Sequence, residues 1–434
     1  METTLKRAVS TPLLYFFILG DTLGAGVYVL IGSIAGKSGG AVWLPLLTAL
    51  ALASLTAASY AELATRFPRA GGASHYATKA LGPAAGSLVG VCMLAAGIVS
   101  VGALARAFAG DYLEALVSWP TAVVVVVFLV ALALLNLRGI KESLGANAAA
   151  TLVEVGGLAL IIGLGTWVVL RGDADLGRLT EVGTGEQGVV AATLAGAVLA
   201  FYSFVGFETS VNLAEEVANP RRSYPIALFG ALLTAGAVYL LLGLVTSASV
   251  PTDRLASSSG PLLEVVRVAG GVPEQLFSVI ALVAVANGAL LTGIMSSRLA
   301  YGMARDGLLP APLTRVLPGR RTPWVAITAT AALSLVLALT GEVAALAETL
   351  VLLLLIVFTA VNVAVLVLRR SDDGEADHFR VPAVVPVLGV ASCLLLFTRI
   401  DGAVWLRGLA LVGLGVLLAV VNAARRRRAP ADER

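Results

Sequence analysis

Apolar stretches long enough to cross a bilayer recur along nearly the whole chain, at about 12–36, 41–65, 84–109, 119–137, 147–170, 188–213, 224–250, 274–301, 322–341, 344–368, 382–399 and 404–423. A helical crossing takes about 20 mostly apolar residues, so this pattern predicts an all-α membrane protein with about 12 transmembrane helices. Barrel strands would instead alternate over about ten residues, which unbroken runs such as Val123–Val127 and Leu352–Ile356 do not do. Of the 434 residues, 58% are hydrophobic and 13% charged, against about 45–50% and about 25% in soluble domains. Little chain is left for a large soluble catalytic domain. The reading is a single polytopic unit over 1–423 and a short basic tail over 424–434.

Lys6 and Arg7 are the only basic residues before the first stretch, and no small-residue cleavage site follows a short apolar core, so it is expected to be a retained span. Basic residues sort by side. With both termini placed in the cytoplasm, 22 of the 30 Lys and Arg fall on the inner side, including Arg66, Arg69, Lys79, Arg138, Lys141, Arg298, Arg369 and Arg425 to Arg428. Seven, among them Lys37, Arg254, Arg267 and Arg407, fall on the outer side, and Arg106 lies near the outer end of the third span, where it is expected to snorkel. This is the positive-inside bias, and a miscounted span would scramble it. A multi-pass cell-membrane protein is therefore expected. The Arg425–Arg428 run reads as an anchor toward anionic membrane lipid. The acidic loop residues Asp372, Asp373, Glu375 and Asp377 read as solvated. Cys92 and Cys393 lie in separate apolar stretches, so they are expected to be packing residues, without disulfide or metal-ligand spacing. Nothing indicates nucleic-acid binding.

Two spans carry residues that a plain anchor avoids. The first contains Gly20-Asp21-Thr22-Leu23-Gly24-Ala25-Gly26, three glycines and a carboxylate in the middle of the span. The sixth contains Phe201-Tyr202-Ser203-Phe204-Val205-Gly206-Phe207-Glu208-Thr209. Glycine weakens a helix by about 1 kcal/mol relative to alanine, and a carboxylate at membrane depth costs a few kcal/mol unless it lines a cavity. Interruptions in spans one and six are what an inverted pair of five-helix repeats produces. Those repeats would run over about 12–170 and 188–368, with two extra helices over about 382–423. An unwound span turns amide groups and the positive end of a half-helix toward the cavity, which suits a carboxylate. Opposing carbonyls suit an ammonium. Thr22, Leu23, Gly24, Ala25 and Gly26 are therefore candidate binders on the carboxylate side, and Phe201, Phe204, Gly206 and Glu208 on the amine or side-chain side. The same glycines also suit close helix packing of the small-xxx-small kind. Asn287 and Asn362 are expected to bond across helices.

The segment Thr22–Leu30, the Phe67-Pro68-Arg69-Ala70-Gly71-Gly72 stretch, Phe204–Glu208 followed by Glu215-Glu216-Val217-Ala218-Asn219-Pro220, and Arg298–Pro310 together resemble the amino acid–polyamine–organocation transporters. The first is most similar to the cationic amino acid transporter branch. The resemblance covers the first span to the ninth. It implies a LeuT-type fold of five plus five inverted helices with broken helices 1 and 6, plus two extra helices, working by alternating access. Many proton-coupled or sodium-independent relatives carry a lysine in the fifth span, at the place where sodium sits in sodium-driven ones. The corresponding position here holds Glu154. Glu154 is a candidate proton carrier, a candidate cation ligand together with Ser296 and Ser297 of the eighth span, or a solvated residue near the cytoplasmic end. Glu208 stands where the family usually has an acid, and Asp21 where relatives often have a small residue. Glu215, Glu216, Arg221 and Arg222 read either as inner-gate ion pairing or as surface charge.

An amino acid permease that moves cationic or small neutral amino acids, coupled to protons or working by exchange, is the expected function. A sodium-coupled amino acid or polyamine transporter is the alternative, and a channel or receptor-like membrane protein is a reading of another class. An enzyme is not expected, since the chain has no His-x-x-x-His and no Cys pair. Neither a cofactor nor a metal is expected, and no accessory subunit, because neither cysteine lies in an outer loop.

Overall fold

The computed structural model describes residues 9–68, 72–139, 143–183, 188–370 and 378–428, apart from the side chains of 143–148 and 423–428. Lys6, Arg7, the Arg69-Ala70-Gly71 part of the second motif, Lys141, the acidic residues Asp372, Asp373, Glu375 and Asp377, Arg434 and the side chains of Arg425–Arg428 lie outside the described residues.

The described chain is helical throughout. The helices are α1 (Thr11–Thr22), α2 (Gly26–Ser38), α3 (Trp43–Arg66), α4 (Gly72–Leu81), α5 (Pro83–Phe108), α6 (Asp111–Glu114), α7 (Thr121–Arg138), α8 (Ser143–Leu170) and α9 (Gly188–Ser203). After a 3-10 helix over Phe207–Leu213 come α10 (Pro220–Ser249), α11 (Thr252–Ser257), α12 (Pro261–Ala269), α13 (Glu274–Arg305), α14 (Trp324–Thr340), α15 (Val343–Arg370), α16 (Val384–Phe397) and α17 (Gly402–Arg428). Proline opens α5 and α10, where its missing N–H costs no helical bond.

Among the described residues nine helices are long and apolar enough to cross a membrane. The pair α1 and α2, bent by 48°, makes a tenth crossing if the two halves form one span. The ninth and eleventh apolar stretches of the sequence are helices too, but α14 has 17 residues and α16 has 14. Both are shorter than the other candidate spans: α14 is bounded by Pro323 and Gly341, and α16 by Ala383 and Thr398. The polarity pattern is that of a membrane protein. Large apolar side chains point outward, such as Leu152, Leu170, Leu406, Leu409 and Val420. The interior is instead joined through small residues. A Cβ on Gly236 would meet Leu50 Cδ2 at 2.5 Å, and one on Gly243 would meet Leu46 Cδ1 at 2.7 Å, so the leucines of α3 pack directly on the bare backbone of α10. Close approach of this kind is what holds helices together where lipid gives no hydrophobic drive.

Polar knots brace the bundle. Asn362 accepts from Ser59 at 2.6 Å and donates to Thr56 at 3.2 Å, the bond between helices expected of it. Glu62 of α3 and Arg369 of α15 form a two-pronged ion pair, Nε to Oε1 at 2.7 Å, and Val381 N–H donates to the same carboxylate at 3.0 Å. At the other end Lys37 lies 3.4 Å from Glu348. Cys92 and Cys393 are buried free thiols.

Candidate functional site

The two interrupted spans break against each other. Leu23 N–H still reaches back to the Leu19 carbonyl at 2.7 Å, after which α1 stops and α2 restarts at Gly26. Alpha9 stops at Ser203, and Gly206 then takes φ +129°, a conformation natural only to glycine. A Cβ on Gly206 would meet the Asp21 carbonyl oxygen at 2.7 Å and Thr22 N at 3.2 Å. One on Gly26 would meet Tyr202 Cδ1 at 2.9 Å and Ser203 Cα at 3.2 Å. Each break is thus glycine where the other presses on it.

Polar bonds fix the crossing. Thr209 donates to Asp21 Oδ2 and also to the Gly206 carbonyl, the latter at 2.9 Å. Tyr239 of α10 donates to the Thr22 carbonyl at 2.5 Å. Gly206 N–H donates to Glu208 Oε2 at 2.8 Å, so Glu208 caps the turn in which it lies. The first amides of α2 have no partner within their helix and stand at its positive end.

A cavity of about 570 Å³ lies at this crossing. The breaks supply Asp21, Thr22, Gly24, Ala25, Gly26, Ser203, Gly206, Glu208 and Thr209 to its wall. From α8 comes Glu154, which is 2% exposed, and that places it in the wall and not in solvent at a helix end. Alpha5 presents Gly90, Met93, Gly97, Ser100 and Leu104, and α13 presents Asn287, Thr292, Met295, Ser296 and Arg298. Ser100 and Tyr202 share a hydrogen bond of 3.1 Å across this space. Three of the wall residues carry a buried polar atom without a hydrogen-bond partner: Thr22 Oγ1, Glu154 Oε1 and Ser203 Oγ. Such atoms cost about 1–3 kcal/mol each while unpaired, so their concentration here marks a place for a polar ligand.

On the side of the crossing toward Lys37, behind Glu154, lies a cluster of buried aromatic residues. Tyr28 donates to the Glu154 carbonyl at 2.5 Å, Tyr112 donates to the Tyr28 carbonyl at 2.6 Å, and the Phe277 ring stacks on Tyr28 at 6.3 Å. Toward the opposite end the wall continues through Ser74, Asn212 and Arg298.

Not all the residues predicted from sequence meet here. Thr22, Gly24, Ala25, Gly26, Gly206, Glu208, Glu154 and Ser296 line the cavity. Leu23, Phe201, Phe204 and Ser297 do not. Phe201 packs on Phe358 at 5.8 Å, and Phe204 meets Tyr239 edge to face at 5.3 Å. Ser297, fully buried, accepts from Asn136 at 3.2 Å on the α7 side, so the two serines do not share one site. Glu215 and Glu216 are half-buried before α10, whereas Arg221 and Arg222 of its first turn are exposed. Ser100, Tyr202, Ser203, Thr209, Thr292 and Arg298 were not expected in the wall. Gly90, Met93, Gly97, Ser100 and Leu104 follow a three-four spacing that puts them on one helix face, a signal that was available in the sequence.

Comparison with known proteins agrees with this architecture. Residues 9–411 match the amino acid permease family. The vacuolar cationic amino acid transporter 4 of Arabidopsis thaliana is 34% identical over 374 residues, 81% of this chain and 61% of the relative. An uncharacterized transporter of Mycobacterium tuberculosis is 31% identical over 95% of this chain and 90% of its own length. The methylthioribose transporter of Bacillus subtilis is 25% identical over 96% and 93%. The chain spans about three fifths of the length of the plant cationic amino acid transporters it matches, and nine tenths or more of these two bacterial relatives. The chain belongs to the amino acid permease family and is a multi-pass membrane transporter, not an enzyme.

Proposed function

We propose, with membership of the amino acid permease family as the premise, that this chain is a secondary permease for cationic or small neutral amino acids, working by alternating access around the crossing of the two breaks. The observation that carries this reading is the cavity itself, which joins the amide end of α2 to three carboxylates, Asp21, Glu154 and Glu208. An amino acid zwitterion needs both ends. Its carboxylate fits the free amides at Gly24–Gly26, where dipole and donors favour an anion. Its ammonium fits the acidic side. Asp21 has one oxygen committed to Thr209, which leaves the other for a cation, and this favours cationic side chains over neutral ones.

On this reading all twelve apolar stretches cross the membrane, α14 and α16 included, with both termini in the cytoplasm and the repeats inverted over about 12–170 and 188–368. The cell membrane is the site of action. Protons are the proposed coupling ion and Glu154 their carrier: its carboxylate is buried, has an unpaired oxygen and stands in the cavity wall. Protonation removes the charge that burial at membrane depth penalises. Ser297, bonded on the α7 side, does not support a sodium site shared with Ser296 and Glu154.

Uptake of labelled arginine, lysine, alanine and leucine into proteoliposomes, driven by an inward proton gradient in sodium-free buffer, tests the proposal. Accumulation of one class of side chain is expected. Glu154→Gln is expected to abolish the pH dependence while leaving substrate binding within about twofold of wild type, since the amide keeps the shape of the acid. Uptake by wild type that demands sodium, or an unchanged pH dependence in the variant, would remove the proton role.

A further inference from the structure

The Arg298–Pro310 motif begins inside the cavity, and its first residue has no part in the crossing. Arg298 is half-buried in the wall. Its Nη1 donates to the Ile294 carbonyl one turn back at 3.1 Å and to Asn136 Oδ1 at 3.5 Å. Asn136 is itself buried and anchored, donating to the Gly293 carbonyl at 3.3 Å and to Ser297 at 3.2 Å. The guanidinium is thus aimed by a neutral scaffold on α7 and α13. It makes no ion pair among the described residues, although three carboxylates line the same cavity. Nη2 and Nε make no hydrogen bond there either.

A guanidinium at membrane depth is costly unless it faces water or an anion, and its planar fork matches a carboxylate in two-pronged geometry. Its position is the telling point. Arg298 lies on the part of the wall shared with Ser74 and Asn212, away from the buried cluster of Tyr28 and Tyr112. By the charge bias of the sequence this is the cytoplasmic side. The amide end of α2 and Arg298 are therefore two separate carboxylate-compatible points in one cavity.

We propose that Arg298 forms a second, inner carboxylate site, which takes the α-carboxylate of the amino acid as it passes between the α2 amides and the cytoplasm. The proposal rests on the permease reading above and adds a stage to it. Asn136 is the positioning residue: it touches Arg298 and lies outside the cavity wall.

The test is counterflow in proteoliposomes carrying the full chain, with arginine titrated separately on the two faces, and agmatine, the same side chain without the carboxylate, titrated inside as a competitor. Arg298→Gln is expected to raise the half-saturating internal arginine concentration about tenfold, and the external one by less than about twofold, because it removes a charge-assisted bond made on one side only. Internal inhibition by agmatine stays as in wild type. Arg298→Lys recovers part of the loss, and Asn136→Leu, which keeps the charge and removes the tether, gives a smaller rise of the same inner-face kind. Equal shifts on both faces, no shift, or an equal weakening of agmatine would overturn the site. So would an effect that vanishes when internal chloride is replaced by methanesulfonate, an anion without a carboxylate, since Arg298 would then serve chloride. Wild-type protein that moves none of the amino acids contradicts the permease reading itself, which separates the two failures. Should Arg298→Gln not fold, Asn136→Leu and Arg298→Lys decide alone: loss of the asymmetry in both would sink the proposal.

Discussion

The two breaks solve one problem in different ways. The break between α1 and α2 is held from outside: Tyr239 of α10 takes the Thr22 carbonyl and Thr209 takes Asp21. The break after α9 adds a bond of its own: Gly206 turns at φ +129° and Glu208, two residues on, accepts its N–H, while Thr209 ties the same segment to Asp21 and Ser210 ties it to Tyr224 of α10 at 2.6 Å. A break tied by other helices changes when those helices move, whereas a self-capped turn keeps its shape. We take the first break, tied only by other elements, as the one that responds to substrate, and the second, which also caps itself, as its fixed counterpart. Asp21 gives one oxygen to the other break, through Thr209, while Glu208 gives one to its own turn.

This contrast can be broken most severely at Gly206. Gly206→Ala forces a Cβ to 2.7 Å from the Asp21 carbonyl oxygen at a φ that alanine resists. A destabilisation of about 3–5 kcal/mol is expected from strain and overpacking together, read as a lowered Tm in detergent with uptake lost. Unaltered Tm would mean that the breaks do not touch. Glu208→Gln, which keeps the shape but gives the Gly206 amide a neutral acceptor, should cost about 1–2 kcal/mol of stability, measured by the same melt. Asp21→Asn should leave Tm nearly unchanged yet raise the KM for arginine about tenfold relative to alanine, the effect of one lost charge-assisted contact. A variant that lowers Tm without changing the ratio of the two substrates would reverse the assignment of fixed and responsive breaks. Tyr239→Phe has the smallest expected effect, about 1 kcal/mol for one unpaired carbonyl, seen as a slight loss of stability.

The breaks were legible in the sequence because glycines beside a carboxylate are costly inside an apolar span, and cost draws attention. The helical architecture was legible for a similar reason, in the unbroken apolar runs. Orientation within each element was not. Ser296 and Ser297 are adjacent and chemically identical, but neighbours on a helix point about 100° apart, so one reaches the cavity and the other reaches Asn136. Phe201 and Phe204 looked like aromatic ligand contacts, and they face α15 and α10 instead. Spacing alone cannot say which side of an interrupted helix meets the cavity, since the break resets the helical phase. From the sequence Arg298 reads only as an inner basic residue, because its depth depends on how far α13 continues before Arg305.

The central claim is that the amino acid sits where the two breaks cross. An experimental structure with the transported amino acid bound tests it most directly. The account predicts ligand density between the start of α2 and Ser203, with the carboxylate against the amides of Gly24–Gly26 and the cationic end toward Asp21. Density elsewhere in the bundle, with the crossing of Gly26 and Gly206 untouched, would contradict it.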